Sequence, residues 1–139
     1  DPLQSLQGGA AYLAKLKGRL PRRIVEPDRT LMTLAAYNVG FGHLEDARIL
    51  TERGGKNPDL WVDVREHLPL LSNKQYYATL KYGFARGNEP VTYVDNIQYY
   101  TRYLELNSLS LQRENENLLE NNTETSKNTD WEGSGPSSL

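Results

Sequence analysis

The residues richest in chemistry lie in Leu34-Ala35-Ala36-Tyr37-Asn38-Val39-Gly40-Phe41-Gly42. Small residues ahead of a Tyr-Asn pair let a helix end pack tightly and push a phenol and a carboxamide into whatever lies beyond. Two glycines then turn the chain back within reach of those groups. A flat ring face with a matched donor and acceptor suits a sugar. The same spacing also describes an ordinary helix C-terminus with Asn before a glycine cap, and spacing alone does not choose between the two. Asp59, Asp63 and His67 stand four residues apart with Glu66 beside them, a donor set for a hard or borderline cation. Charged residues at this spacing usually form a solvated helix face, so no metal site is expected. Lys15, Lys17, Arg19, Arg22 and Arg23 form a basic run that could meet an anionic polymer or serve as the wet side of a helix. Neither Gly40-Phe41-Gly42 nor Arg53-Gly54-Gly55-Lys56 continues as a phosphate loop would, and no Ser-His-Asp set has supporting spacing. No cofactor is implied.

The elements that must position these groups read as helices. Leu3, Leu6, Ala10, Leu13, Leu16 and Leu20 recur at three- and four-residue steps, and Pro21 ends that helix. Gly8-Gly9 inside the stripe costs helix propensity, about 1 kcal/mol per Gly against Ala, which close approach of another backbone would offset. Asp28 is expected to cap a helix through Leu31, Leu34, Ala35 and Asn38, closed by Gly40 in a left-handed conformation. A third helix is expected from about Gly42 to the Gly54-Gly55 stop. A short one carries Leu60, Trp61, Val64 and Leu68 and breaks at Pro69. Ser72 is read as the cap of a further helix burying Tyr76, Tyr77, Leu80 and Phe84. After a loop from Gly83, Pro90 suits the first turn of a last helix with Tyr93, Ile97, Tyr100 and Leu104 on one face. No run alternates with period two, so the predicted class is all-α.

The chain has 139 residues, 37% hydrophobic, with 16 basic and 18 acidic side chains and no cysteine. One domain with a modest core is expected, and a disulfide framework, a thiolate zinc site and a Cys nucleophile are excluded. A net charge of −2 argues against nucleic acid as the main partner. Nothing approaches the roughly 18 consecutive apolar residues of a membrane span. All nine tyrosines precede residue 105, and the later sequence turns to Asn, Glu, Ser and Thr. We therefore expect a folded part over 1–108 and an acidic, Asn/Ser-rich disordered tail over 109–139, with its scattered leucines prolonging the last helix by a few turns.

Ala35-Ala36-Tyr37-Asn38-Val39-Gly40-x-Gly42 resembles the Ala-Tyr-Asn-x-Gly signature of lytic murein transglycosylases with the lysozyme-like soluble-transglycosylase domain. Gly8-Gly9-Ala10-Ala11-Tyr12-Leu13-x-x-Leu16 looks like the family helix that precedes the signature. Tyr93-Val94-x-Asn96-Ile97-x-x-Tyr100 looks like its final aromatic helix. The intervening Asp46-Ala47-Arg48, Asn57-Pro58-Asp59-x-Trp61, Leu68-Pro69-Leu70-Leu71-Ser72 and Ala85-Arg86-Gly87-Asn88-Glu89 look like the membrane-bound F type. The likeness covers about residues 3–105.

That resemblance implies a lysozyme-like helical fold and a partner in the glycan strands of peptidoglycan, cut without water between N-acetylmuramic acid and N-acetylglucosamine. It implies Tyr37, Asn38 and Tyr93 as substrate-binding residues, no metal and no cofactor. It also implies a periplasmic, outer-membrane-associated setting, with attachment through sequence upstream of Asp1. The chain departs from the family at one point. The family's catalytic glutamate stands in a Glu-Ser pair roughly forty or more residues before the first helix here, and neither that pair nor the Gly-Leu-Met-Gln-like segment after it occurs. Glu26, the first glutamate, precedes a proline. No catalytic residue is assigned in this chain, which is expected to be the C-terminal part of a catalytic domain, inactive alone. The alternative is a non-catalytic helical module that binds glycan or protein.

Overall fold

A computed structural model describes residues 2–131, and the side chains of residues 8–128. Among the described residues there are helices and turns and no strand. Helix α1 (Pro2–Arg19) is followed by α2 (Asp28–Val39), α3 (Phe41–Arg53) and α4 (Trp61–His67). A 3-10 turn (Leu68–Ser72), the single turn α5 (Lys74–Tyr77) and α6 (Asn88–Trp131) complete the chain. Two compact units divide between Ile97 and Gln98.

In the first unit α3 packs against α2, α4 and the 3-10 turn, while α1 packs against α2. The apolar spacing accounts for this. Leu16, Leu20 and Ile24, Met32, Ala35 and Ala36 of α2, Leu44, Ala47 and Leu50 of α3, and Trp61, Val64 and Leu68 form one buried cluster. Ala35 and Ala36 are 0% and 1% exposed, so the small residues before Tyr37 do allow close packing.

Polar links settle where the helices sit. A helix ends with carbonyls that lack partners inside it. Arg29, in the first turn of α2, supplies partners for α1: its guanidinium donates to the carbonyls of Lys17 and Leu20 through Nη2, and of Pro21 and Ile24 through Nη1 at 2.9 and 3.2 Å. Asp28 does not cap its own helix; α2 has no side-chain cap, and the Asp28 carboxylate accepts the Trp61 N–H at 2.8 Å, at the start of α4. Gly8 and Gly9 have no neighbour within reach of an added Cβ, so the expected close backbone approach does not occur there among the described residues.

The helix expected after Ser72 shrinks to one turn. Its cap is Asn73, whose side chain accepts from the Gln75 N–H at 3.0 Å. The chain then leaves the helical path for tertiary partners: the Tyr82 N–H donates to buried Asp46 at 2.9 Å, and the Ala85 N–H donates to the Leu71 carbonyl at 3.1 Å. Gly87 lies so close to the Leu68 carbonyl that no side chain would fit. Tyr76, Tyr77 and Leu80 are half-buried, whereas Phe84 is exposed.

The second unit is helical, where disorder from residue 109 was expected. Helix α6 continues to Trp131 with every described side chain from Gln98 onward exposed; residues 132–139 of the expected tail lie outside the described residues. The sequence from 98 to 131 contains no Pro or Gly and is rich in Leu, Glu and Asn, so no strong helix breaker interrupts it.

Asp59 ties the turn after α3 to both sides, accepting from Arg23 at 2.6 Å and from buried Arg48 at 2.7 Å. Burial pushes the Asp59 carboxyl up, but the hydrogen bonds from Arg23 and Arg48 outweigh it and hold the group below its ordinary value of 3.8. The folded state therefore binds this proton less readily than the unfolded state. The stabilisation is complete above the ordinary value and is lost as pH falls through the lower folded one. Asp59→Asn should cost about 2 kcal/mol near neutral pH and flatten the acid limb of stability below pH 4. Chemical denaturation of both proteins across pH checks this; parallel acid limbs would remove Asp59 from the account.

Candidate functional site

Tyr37 and Asn38 occupy the last turn of α2, both exposed. The helix ends there because Gly40 takes φ +100° and ψ 143°, open to glycine and strained for any residue with a Cβ. The Gly40 N–H still closes the final turn on the Ala36 carbonyl at 2.8 Å, and α3 begins at the next residue. This is positive φ with an extended ψ, not the left-handed helical cap expected. One residue thus reverses the chain and leaves the phenol and carboxamide on the outside of the corner.

Tyr37 is the middle of a row. Its ring centroid lies 6.0 Å from that of Tyr12 on α1 and 6.5 Å from that of Tyr93 on α6, the latter pair stacked at 24°. Tyr12 and Tyr37 are 47% and 43% exposed, leaving usable ring surface, while Tyr93 is half-buried against the core. Tyr93 thus packs on the core and stacks on Tyr37 with the same ring. Tyr12 was quoted only as part of a helix pattern; the period of α1 puts it two turns before the Arg29 clamp without saying which tyrosine it faces.

The other side of the corner carries residues that sequence reasoning left aside. The Tyr82 ring lies against Gly42, where an added Cβ would come within 2.7 Å of it, and Lys81 stands 5.4 Å above that ring. His43 meets Tyr82 edge-on at 6.2 Å, with a buried Nδ1 that has no hydrogen-bond partner. Arg19 lies 4.0 Å over the Phe41 ring, which accounts for one member of the basic run. Lys17 pairs with Glu26 at 2.8 Å and Arg23 with Asp59, two more.

None of the glutamates of the first unit is set up as a proton donor. The Glu26 carboxyl is held below its ordinary range by hydrogen bonds from Lys17 and Thr30. Glu45 pairs with Arg48 at 2.9 Å and Glu89 with Arg86 at 3.8 Å, while Glu52 and Glu66 are exposed to solvent. A general acid near neutral pH needs the opposite environment, an apolar one that raises its pKa. The Asp59, Asp63 and His67 set does not converge on a common point: Asp59 faces two arginines, Asp63 accepts the Asn57 N–H at 3.0 Å, and His67 Nδ1 bonds the Asp63 carbonyl. No group of three His, Cys, Asp or Glu side chains that could hold a metal occurs among the described residues.

The transglycosylase SLT domain matches residues 1–60, which contain Tyr12, Tyr37, Asn38 and the Gly40 corner. Outside that segment the likeness continues. The membrane-bound lytic murein transglycosylase F of Idiomarina loihiensis is 63% identical over 97 residues, covering 70% of this chain and 21% of that protein. The same-named protein of Alteromonas mediterranea is 61% identical over 100 residues, 72% of this chain and 22% of that protein. That of Saccharophagus degradans is 56% identical over 110 residues, or 79% and 22%. The chain spans about a fifth of the length of the curated relatives it matches. The helical architecture agrees with the lysozyme-like class that the SLT resemblance implied.

The SLT corner depends on glycine at position 40. Gly40→Ala should lower stability by about 2 kcal/mol through backbone strain and separate the Tyr37 and Tyr93 rings. Thermal melts and ring-proton nuclear Overhauser contacts between the two tyrosines check this, and an unchanged melting point with intact contacts would contradict it.

Proposed function

We propose that this chain forms the tyrosine-lined part of the active cleft of a peptidoglycan lytic transglycosylase. The observation that carries the reading is the row Tyr12–Tyr37–Tyr93 at the glycine corner of an SLT segment, with exposed Asn38 next in sequence to Tyr37. Exposed ring faces stack on sugar rings, and a neighbouring amide offers both a donor and an acceptor to hydroxyl or acetamido groups. The substrate is a glycan strand, cut at the β-1,4 bond between N-acetylmuramic acid and N-acetylglucosamine.

In this reading the acid comes from sequence preceding Asp1 in the full-length protein. A carboxyl held protonated by an apolar cleft donates to the glycosidic oxygen as the bond to C1 breaks. The same group, now a carboxylate, takes the proton of the muramic C6 hydroxyl as that oxygen closes onto C1. The product is a 1,6-anhydro end. No second carboxylate or water is needed, unlike ordinary glycoside hydrolysis. Tyr37 stands nearest the reacting centre, Asn38 orders the sugar, and Tyr93 supports the Tyr37 ring. The setting is the periplasm at the outer membrane; no described helix is long and apolar enough to cross a membrane. The ion-paired or solvated state of the first unit's glutamates favours a second reading, a non-catalytic module that holds glycan or protein.

Purified sacculi incubated with the full-length protein should release anhydro-muropeptides. Tyr37→Phe should lower turnover about tenfold, the effect of one lost hydrogen bond in the transition state, with the fold intact. Reducing muramic ends would identify a hydrolase, and retention on sacculi without release would favour the binding module.

A further inference from the structure

A cavity of about 390 Å³ opens where the C-terminal ends of α3 and α4 meet α5, and it shares no residue with the tyrosine row. The volume is that of a small-molecule site. Leu50 and Leu70 supply apolar lining. Arg53 also lines it, its Nη1 donating to Thr79 Oγ1 at 2.8 Å, and that hydroxyl donates in turn to the Tyr76 carbonyl at 2.8 Å. The guanidinium is thus braced, yet it has no carboxylate partner within 4.0 Å among the described residues.

Another lining residue, His67, has the complementary polarity. His67 Nδ1 lies 2.8 Å from the Asp63 carbonyl oxygen, which can only accept. The proton of the neutral ring is therefore on Nδ1, and Nε2 is left as an acceptor. Gly54 keeps Nε2 uncovered, because a Cβ there would stand 2.8 Å from it. A fixed cation, an acceptor and an apolar floor in one cavity select a ligand with a carboxylate, an N–H and a small side chain close together. The C-terminal residue of a peptide has all three. An acylated residue fits better than a free amino acid, whose ammonium would stand near the guanidinium.

We propose that this cavity binds the C-terminal residue of a peptide, with its carboxylate on Arg53, its amide N–H on His67 Nε2 and its side chain over Leu50 and Leu70. The test is a proton–nitrogen NMR titration of the protein with acetyl-alanyl-alanine of either hand. Two probes each remove one feature: acetyl-alanyl-alaninamide lacks the carboxylate, and acetyl-alanyl-lactate lacks the terminal N–H. The expected result is shifts at Gly54, His67 and Thr79, with the amide probe binding about tenfold more weakly, the worth of one charge-assisted contact, and the lactate probe about fivefold more weakly, that of one neutral hydrogen bond. Arg53→Gln should weaken the acid probe about tenfold and leave the amide probe unchanged. Equal affinity for acid and amide, or no shifts at these residues through the millimolar range, overturns the proposal. Should Arg53→Gln fail to fold, the three probes on the unaltered protein decide the matter alone.

Discussion

The Arg29 guanidinium lies across the end of α1, and the geometry of the first unit depends on that contact. It gathers four backbone carbonyls between Lys17 and Ile24, of which that of Pro21 also accepts the Ile24 N–H at 3.1 Å. Each charge-assisted bond of this kind contributes about 1.5–3 kcal/mol when the alternative is an unmet buried acceptor. The planar fork also fixes direction, which a flexible ammonium would not. Because Arg29 belongs to the first turn of α2, capping α1 also sets where α1 crosses α2. Tyr12 on one helix and Tyr37 on the other are brought to 6.0 Å as a consequence.

The remaining elements are attached in the same manner. Helix α4 has seven residues and α5 four, too short to persist alone. Asp28 holds the start of α4, Asp46 holds the chain at Tyr82, and Arg48 with Asp59 holds the intervening turn. Each link runs from a side chain on a long helix to the backbone or side chain of a short segment. The apolar core supplies most of the burial; these links choose among the packings that such a core would permit. The corner at Gly40 and the absence of a side chain at Gly42, against which the Tyr82 ring packs, complete the site by letting α2, α3 and the Tyr82 segment come together.

This division explains what could be read from the sequence. Leucine spacing with Pro21, Gly40 and Gly54 as punctuation marked α1 to α4 closely, since each of those signals is local. The Ala-Ala-Tyr-Asn-Val-Gly segment likewise announced an exposed phenol and amide at a helix end. The role of Arg29 was not legible, because a guanidinium on a helical face carries no sign of the carbonyls it will meet. Asp28 was read as a local cap and instead serves α4, 33 residues on. Tyr76, Leu80 and Phe84 carry helical spacing, but bonds from Tyr82 and Ala85 to distant acceptors compete successfully with one more helical turn. Over 109–131 the polar composition points to disorder after a few more helical turns; α6 continues to Trp131, through a stretch that has no Pro or Gly.

The central claim is that the Tyr12–Tyr37–Tyr93 row is a sugar-stacking wall. Titration with a tetramer of β-1,4-linked N-acetylglucosamine, followed through the aromatic ring protons, tests it most directly. The account predicts shifts and saturation transfer confined to Tyr12, Tyr37 and Tyr93, with Tyr76, Tyr77 and Tyr99 silent. Perturbation spread evenly over all the tyrosines, or absent from Tyr37, would contradict it.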